Sequence, residues 1–428
     1  MQKISLRSMR ARNKDRERDM IRQIDGGVTA AKGFSASCTA AGIKYKDRTD
    51  MAMVFSAVPC DTAGTYTKNV VKAAPVLWDR ALTDSDKKVS AVVINAGIAN
   101  ACTGEEGFSY CRQTSDAAKE VLKLTDSEVL VASTGVIGKQ LPIDRIVAGP
   151  KVLAAKLSDT IEAGTEASKA IMTTDTHNKQ IAFEFEIGDK KCVIGGMCKG
   201  SGMIHPNMCT MLAFITTDVN IDKNLMLKAL RCDIEDTFNM VSVDGDTSTN
   251  DSVMLLANGL AGNEKICDED SAEFATFKEA LRGVTLFMAK NIAADGEGAT
   301  KLFEVKVVNV ADTAKAKTLA LSVIKSSLTK AAVYGNDANV GRIMCALGYS
   351  GVDFDPYKVD ITISSENGTE QLVENGVPVD FNEEIATKIL SGKEVTALCD
   401  MKEGNASATA WGCDLTYDYV KINADYRS

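Results

Sequence analysis

The chain of 428 residues is 45% hydrophobic and 25% charged, which is too apolar for disorder and too charged for a membrane bundle. Its 49 Lys+Arg against 58 Asp+Glu give a net charge of -9, no basic stripe stands out and aromatics are 6%, so a nucleic-acid partner is not expected. No apolar run approaches the ~18 residues of a membrane span, and with only two histidines, His177 and His205, a Ser-His-Asp triad or a His-rich zinc site would have to use one of those two.

The elements follow in chain order. Residues 1–25 mix basic side chains with Asp15, Glu17, Asp19 and Asp25 and carry no apolar core, so they read as a solvated helical arm and not as a secretory or mitochondrial leader. Val89 to Ile94 reads as a buried strand running into a loop at Gly97, Thr114 to Leu124 as a helix, and Val129 to Ala132 as a short strand stopped by Ser133-Thr134-Gly135. Ile181 to Ile187 alternates, turns at Gly188-Asp189 and returns through Cys192 to Ile194, a hairpin pattern. Met211 to Ile215 is continuously apolar and reads as a strand buried on both faces. Phe303 to Val307 alternates and leads into a helix with Ala316, Leu319, Ala320, Val323, Ile324 and Leu328 on one face. Val359, Ile361 and Ile363 alternate ahead of a turn at Asn367-Gly368. The shift in composition near Gly296 divides the chain into an arm (1–25), a large α/β domain (26–295) and a smaller carboxy-terminal α/β domain (296–428).

Twelve cysteines are scattered without a CxxC pair. A chain this long builds its core without staples, so they read as free thiols in a reducing cytoplasm. Cys192, Cys198 and Cys209 lack zinc-knuckle spacing, and no metal is expected. The Gly-rich run Lys199-Gly200-Ser201-Gly202-Met203-Ile204-His205-Pro206 lacks the spacing of a phosphate loop. By pattern alone it is a turn, as is Asp295-Gly296-Glu297-Gly298-Ala299-Thr300-Lys301, and Thr210 is a core threonine.

Their joint occurrence in order changes the reading. Gly26-Gly27-Val28-Thr29, Thr67-Lys68-Asn69, Lys72 to Val76, NAGIANACTG from Asn95, STGVIG from Ser133, MTTDT from Met172, KGSGMIHPNMCTMLAFITTD from Lys199, VDGDTSTND from Val243, DGEGATK and the terminal INADYRS stand together in this chain. From about Gly26 to Ser428 it resembles the glutamate N-acetyltransferase / ornithine acetyltransferase family of arginine biosynthesis. Two local departures are Ile98 in place of a usual Asn and Asp337 to Gly341 in place of a D-P-N-W-G type run.

The resemblance implies an αββα self-processing amidase-like catalytic fold with a smaller carboxy-terminal α/β domain. It implies cleavage between Cys209 and Thr210, with Cys209 standing where alanine is usual, and makes Thr210 the nucleophile. It assigns Thr134 and Gly135 to the oxyanion and Thr173, Lys199, Thr210, Glu297, Asn423 and Ser428 to substrate. The implied reaction moves acetyl from N-acetyl-L-ornithine to L-glutamate in the cytoplasm, without metal or organic cofactor, in an α2β2 heterotetramer. Acetyl-CoA as a second donor is left open. The chemistry suits a chain poor in histidine, because a terminal α-amine with a pKa of ~7.7–8.0 can deprotonate its own threonine hydroxyl. The competing readings are a self-processed aminopeptidase or amidase of similar fold, with water as acceptor, and an uncleaved metabolite-binding protein.

Overall fold

The computed structural model describes residues 21–44, 46–205 and 211–425. Its longest strand, Met51–Tyr66, belongs to two sheets at once. The end from Asp61 to Tyr66 pairs antiparallel with Ser252–Ala257. The start pairs with Phe34–Thr39 on one side and Val89–Ile98 on the other, and the register slips between Phe55 and Cys60 where the strand changes sheets. The first sheet runs Ile21–Ile24, Lys179–Ile187, Lys190–Lys199, Leu212–Thr217, Ser252–Ala257 and then Met51–Tyr66. The second contains Phe34–Thr39, Met51–Tyr66, Val89–Ile98 and Glu128–Val136, the last two parallel.

Alternation along each strand decides what lies on either side of these sheets. Met197, Leu212, Phe214, Met254 and Leu256 of the first sheet share one buried cluster with Val54, Val92, Ile94 and Leu130 of the second. The residues between them face outward. Ala213, Ile215, Val253 and Leu255 pack with the helices Lys223–Ile234 and Ala272–Ala294, and Met53, Ala91, Val93 and Val129 with the helices Gly104–Leu122 and Ile143–Ala155. The layers are therefore helix, sheet, sheet, helix, the αββα arrangement. Strands covered on both faces have no polar side to show, which is why 89–98 and 212–217 read as unbroken apolar runs. Ile98, one of the two local departures from the family pattern, is buried in the outer cluster with Met53 and Val93.

A further sheet is ordered Val377–Pro378, Gly368–Glu374, Asp360–Ser365, Glu394–Asp400, Leu302–Val310, Ala406–Cys413 and Val241–Ser242. Helix Ala272–Ala294 packs on this sheet and on the first one, so Phe277, Leu281, Val284 and Met288 join both into one core. Among the described residues no helix is long and apolar enough to cross a membrane. The eleven described cysteines are free thiols.

Several expected boundaries move. The end of the expected helical arm is a strand, Ile21–Ile24, paired with residues 182–185. The helix expected from Thr114 begins at Gly104, because Glu105 and Glu106 favour a first helical turn that the Asn/Gly-rich sequence before it disguised. The strand expected to stop at Ala132 continues to Val136. Its polar residues are accommodated inside the sheet, Ser133 donating from Oγ to Asn95 Oδ1 at 2.6 Å. Leu328 does not share a helix with Val323: Ser326 caps a new one, Ser327–Tyr334, and Leu328 is exposed. The hairpin is found as read, with Gly188 at φ 61 between Lys179–Ile187 and Lys190–Lys199.

Strand 128–136 would present a bare edge, a liability in any sheet. Helix Ala74–Thr83, opened by Pro75, covers it. Trp78 Nε1 donates to the Val129 carbonyl at 3.2 Å and Asp79 Oδ1 accepts the Val131 N–H at 2.8 Å. Asp79 is fully buried and its second oxygen has no partner among the described residues. Burial pushes its carboxyl well above the ordinary range against that one hydrogen bond. A carboxyl whose folded pKa is raised binds its proton more tightly folded than unfolded. Its contribution is therefore full below the unfolded value of about 3.9 and is lost as pH rises toward the folded one. Wild-type thermal stability should fall on this account as pH rises above about 4. Asp79→Asn, which keeps the acceptor for Val131, should flatten that slope; a variant with the wild-type slope would show that Asp79 does not set it.

Candidate active site

A cavity of about 270 Å³ is lined by residues from both sheets of the sandwich and from the carboxy-terminal helix Tyr417–Ala424. One wall is the end of strand 128–136. Gly135 there has φ 126, and a Cβ on it would stand 2.2 Å from the Gly97 backbone carbon, so only glycine fits this crossing. The pairing with strand 89–98 becomes irregular at Gly97 and Ile98, beside Thr134 and Gly135. Asn250 clamps the same corner by donating to the carbonyls of Ala99 at 2.6 Å and Ser133 at 2.8 Å.

The opposite wall comes from the Gly-rich run after strand 190–199. Lys199 is 8% exposed, and among the described residues its ammonium makes no salt bridge. Gly202 has no room for a side chain, because the Glu297 carboxylate lies 2.2–2.4 Å from where a Cβ would be. Glu297 reaches this position through its own N–H, which donates to the Ser201 carbonyl at 3.0 Å, and Glu297 Oε2 accepts Asn423 Nδ2 at 2.8 Å. Met203 and Ile204 donate their N–H groups to the Asp244 carboxylate at 2.6 and 2.9 Å, and Thr247 Oγ1 donates to the His205 carbonyl. The block from Val243 to Asp251 thus holds the segment that leads to residue 206.

Beneath this wall, Lys179 is enclosed with no side-chain exposure, 2.8 Å from Asp175 and 2.5 Å from Asp295. Asp175 also accepts the N–H groups of Gly200 at 2.7 Å and Thr173 at 3.1 Å, and the Asp295 carbonyl accepts Ser201 Oγ at 2.6 Å. Burial alone would raise the Asp175 carboxyl, but the charges of Lys199 and Lys179 overcome it and hold Asp175 below the usual carboxylate range.

Thr134, Gly135, Thr173, Lys199, Glu297 and Asn423 are therefore brought together around one cavity. Cys209, Thr210 and Ser428 lie outside the described residues, while Met211, bonded to Thr210, lines the cavity. Neither histidine lines it. His205 is held below its ordinary pKa by burial and by Lys325, and His177 is half-exposed beside Asp295. Among the described residues no cluster of His, Cys, Asp or Glu could hold a metal ion.

Asp251 also lines the cavity and has no role among the residues that the sequence singles out. Asp251 is 1% exposed, and its Oδ2 has no hydrogen-bond partner among the described residues. Burial pushes its carboxyl well above the ordinary range, against the hydroxyls of Ser248 and Thr67, the charge of Lys199 and the Met211 N–H. Its motif, VDGDTSTND, was visible in the sequence, but only packing distinguishes this acid from the exposed Asp246 in the same block.

Comparison with known proteins adds the family. The chain is 51% identical over 405 residues to the arginine biosynthesis bifunctional protein ArgJ of Symbiobacterium thermophilum, covering 94% of this chain and 99% of that protein. It is 49% identical to ArgJ 1 of Clostridium acetobutylicum, with coverage of 94% and 97%. Among solved structures, ornithine acetyltransferase from Mycobacterium tuberculosis complexed with ornithine is 40% identical, with a TM-score of 0.41 and coverage of 44% of this chain and 98% of that one. Residues 35–428 match the ArgJ family, and the chain belongs to that family.

Proposed function

We propose that this cavity moves an acetyl group from N-acetyl-L-ornithine to L-glutamate, releasing L-ornithine and N-acetyl-L-glutamate, by way of an acetyl ester on Thr210. The observation that carries the reading is the meeting of Thr134, Gly135, Lys199, Glu297 and Asn423 around one cavity that Met211 also lines. The relatives' assignment to arginine biosynthesis and the ornithine in the mycobacterial structure support the substrate class, and the word bifunctional in the relatives' names supports acetyl-CoA as a second donor. No cofactor is invoked.

The chemistry begins on the chain itself. The Thr210 hydroxyl attacks the Cys209 carbonyl, the amide becomes an ester, and water splits it to give residues 1–209 and 210–428. The freed α-amine of Thr210 then serves as base for its own hydroxyl, as a histidine would elsewhere. The oxyanion on the acetyl carbon is met by Thr134 and Gly135, whose strand end is fixed by Asn250 before substrate arrives, so little reorganisation remains for the reaction. Both amino acids carry an α-carboxylate, for which Lys199 is the available cation, and the Glu297 carboxylate suits the ornithine ammonium. Ser428 and Thr173 would complete the polar contacts. We place the processed enzyme in the cytoplasm as an α2β2 heterotetramer.

Two experiments test this reading. Purified wild-type protein should run as two chains on a denaturing gel, the second beginning at Thr210, and Thr210→Ala as one inactive chain. Fragments from Thr210→Ala would overturn the self-cleavage. With acetylornithine as donor, glutamate should be required as acceptor, and acetate released without it would identify an amidase.

Glu297 provides the sharper specificity test. A buried charge-assisted contact is worth roughly 1.5–3 kcal/mol, so Glu297→Gln should raise KM for acetylornithine at least about tenfold and leave KM for glutamate much less changed. Gly202→Ala should push in the same direction, because its new methyl takes the space of the Glu297 carboxylate. Equal shifts in both constants would show that Glu297 does not read the ammonium.

A further inference from the structure

Two carboxyls line the cavity, and the function proposed above uses only Glu297. Asp251 stands at the start of strand Ser252–Ala257, which runs parallel to Leu212–Thr217 with Ser252 opposite Leu212. Its backbone is tied on both sides: the Asp251 carbonyl accepts the Thr67 N–H at 2.9 Å, and the next residue, Ser252, donates its N–H to the Met211 carbonyl at 2.9 Å. The carboxyl is thereby set beside Met211, the residue bonded to the proposed nucleophile. Buried polar atoms are nearly always satisfied, so an unpartnered Oδ2 in a residue that lines the reaction cavity calls for a function.

We propose that Asp251 gives a proton to the amine that leaves the acetyl carbon and takes one back from the amine that replaces it, an inference that rests on the acetyl-transfer reading. The cycle starts with a neutral Thr210 α-amine and a protonated Asp251. In the first half the bond from Thr210 Oγ to the acetyl carbon forms and the hydroxyl proton passes to the α-amine. The bond from that carbon to the ornithine nitrogen breaks, and Asp251 supplies the proton this nitrogen needs. The acetyl-enzyme then holds an ammonium and a carboxylate. In the second half glutamate enters with its α-amine as the free base and attacks the ester. Its surplus proton goes to Asp251, the ammonium returns its proton to Oγ, and both groups are restored.

Dividing the work between two groups relieves the α-amine of having to serve both oxygen and nitrogen in one step. The surroundings of Asp251 suit the role. Burial favours the protonated acid, while Lys199 from strand 190–199, the hydroxyls of Thr67 and Ser248 and the Met211 N–H stabilise the carboxylate that must form.

The test varies how much the leaving group needs a proton. A nitrophenolate leaves without one, whereas an ornithine amine does not. First-turnover acetylation of the processed enzyme is measured with acetylornithine and with p-nitrophenyl acetate. Asp251→Asn should slow acetylation by acetylornithine by roughly 10²–10⁴-fold, the usual contribution of a positioned acid, and slow the ester reaction far less. Wild-type enzyme supplies a second measurement that holds even if the variant fails to fold or to cleave. Its rate with acetylornithine should rise with pH as the α-amine loses its proton and fall again as Asp251 ionises, while the ester rate should rise without falling. Equal losses for both substrates in the variant, no loss for either, or matching wild-type pH profiles would overturn the role of Asp251. A processed wild-type enzyme that takes no acetyl from acetylornithine would overturn the parent reading as well.

Discussion

Lys179 carries no functional chemistry in the proposed reaction, yet the site depends on it. Its ammonium is enclosed between Asp175 and Asp295, which belong to two segments far apart in sequence. Taking an ammonium and two carboxylates out of water is costly, and such a group persists only where geometry and further hydrogen bonds compensate. Here they do. Asp175 takes the N–H groups of Thr173 and Gly200, Asp295 takes the N–H of Thr176, and the Asp295 carbonyl takes Ser201 Oγ. The segments carrying Thr173, Lys199 and Glu297 are thus joined under the cavity floor. Breaking such a buried group by removing one partner costs about 3–5 kcal/mol, since it strands a charge that water cannot reach. The strain of that loss would fall on the walls of the site first.

How far the sequence could be read depended on whether local pattern and tertiary environment agreed. The hairpin 179–187 and 190–199 was legible because alternation, turn glycine and packing all point the same way. In strand 128–136, Ser133-Thr134-Gly135 resembles a stop, and the Ser133 to Asn95 hydrogen bond explains why polar residues continue inside the sheet. Leu328 satisfied the helical period of its neighbours, but the period cannot show that Ser326 starts a second helix. The cluster of Thr134, Thr173, Lys199, Glu297 and Asn423 came from ordered motifs and not from any one of them. Taken singly, the runs at Lys199 and Asp295 read as ordinary turns and Ser133-Thr134-Gly135 as the end of a strand. Lys179 lay in no motif at all, and its importance comes from complete burial, a property of the fold.

Two glycines in the site solve the same steric problem in different ways. Gly135 takes a positive φ so that the strand can cross Gly97 at backbone distance, while Gly202 has no special conformation and simply leaves space that a carboxylate fills. The first shapes the place where negative charge develops in the proposed reaction, and the second seats a negative charge that is already present. Asn250 and Asn423 act as their polar counterparts, one holding backbone carbonyls and the other holding the Glu297 carboxylate.

The strand order of the first sheet has a consequence for the life of the molecule after a cut following Cys209. Leu212–Thr217 and Ser252–Ala257, which would belong to the second fragment, lie between Lys190–Lys199 and Met51–Tyr66, which would belong to the first. The fragments would be interleaved within one sheet, so neither could leave without opening ladders on both of its sides. Before the cut, folding is unimolecular. After it, a denatured molecule must find its other half by diffusion, and recovery becomes dependent on concentration and exposed to aggregation. The processed protein would then owe its lifetime to a slow unfolding rate, having given up the route by which it first assembled.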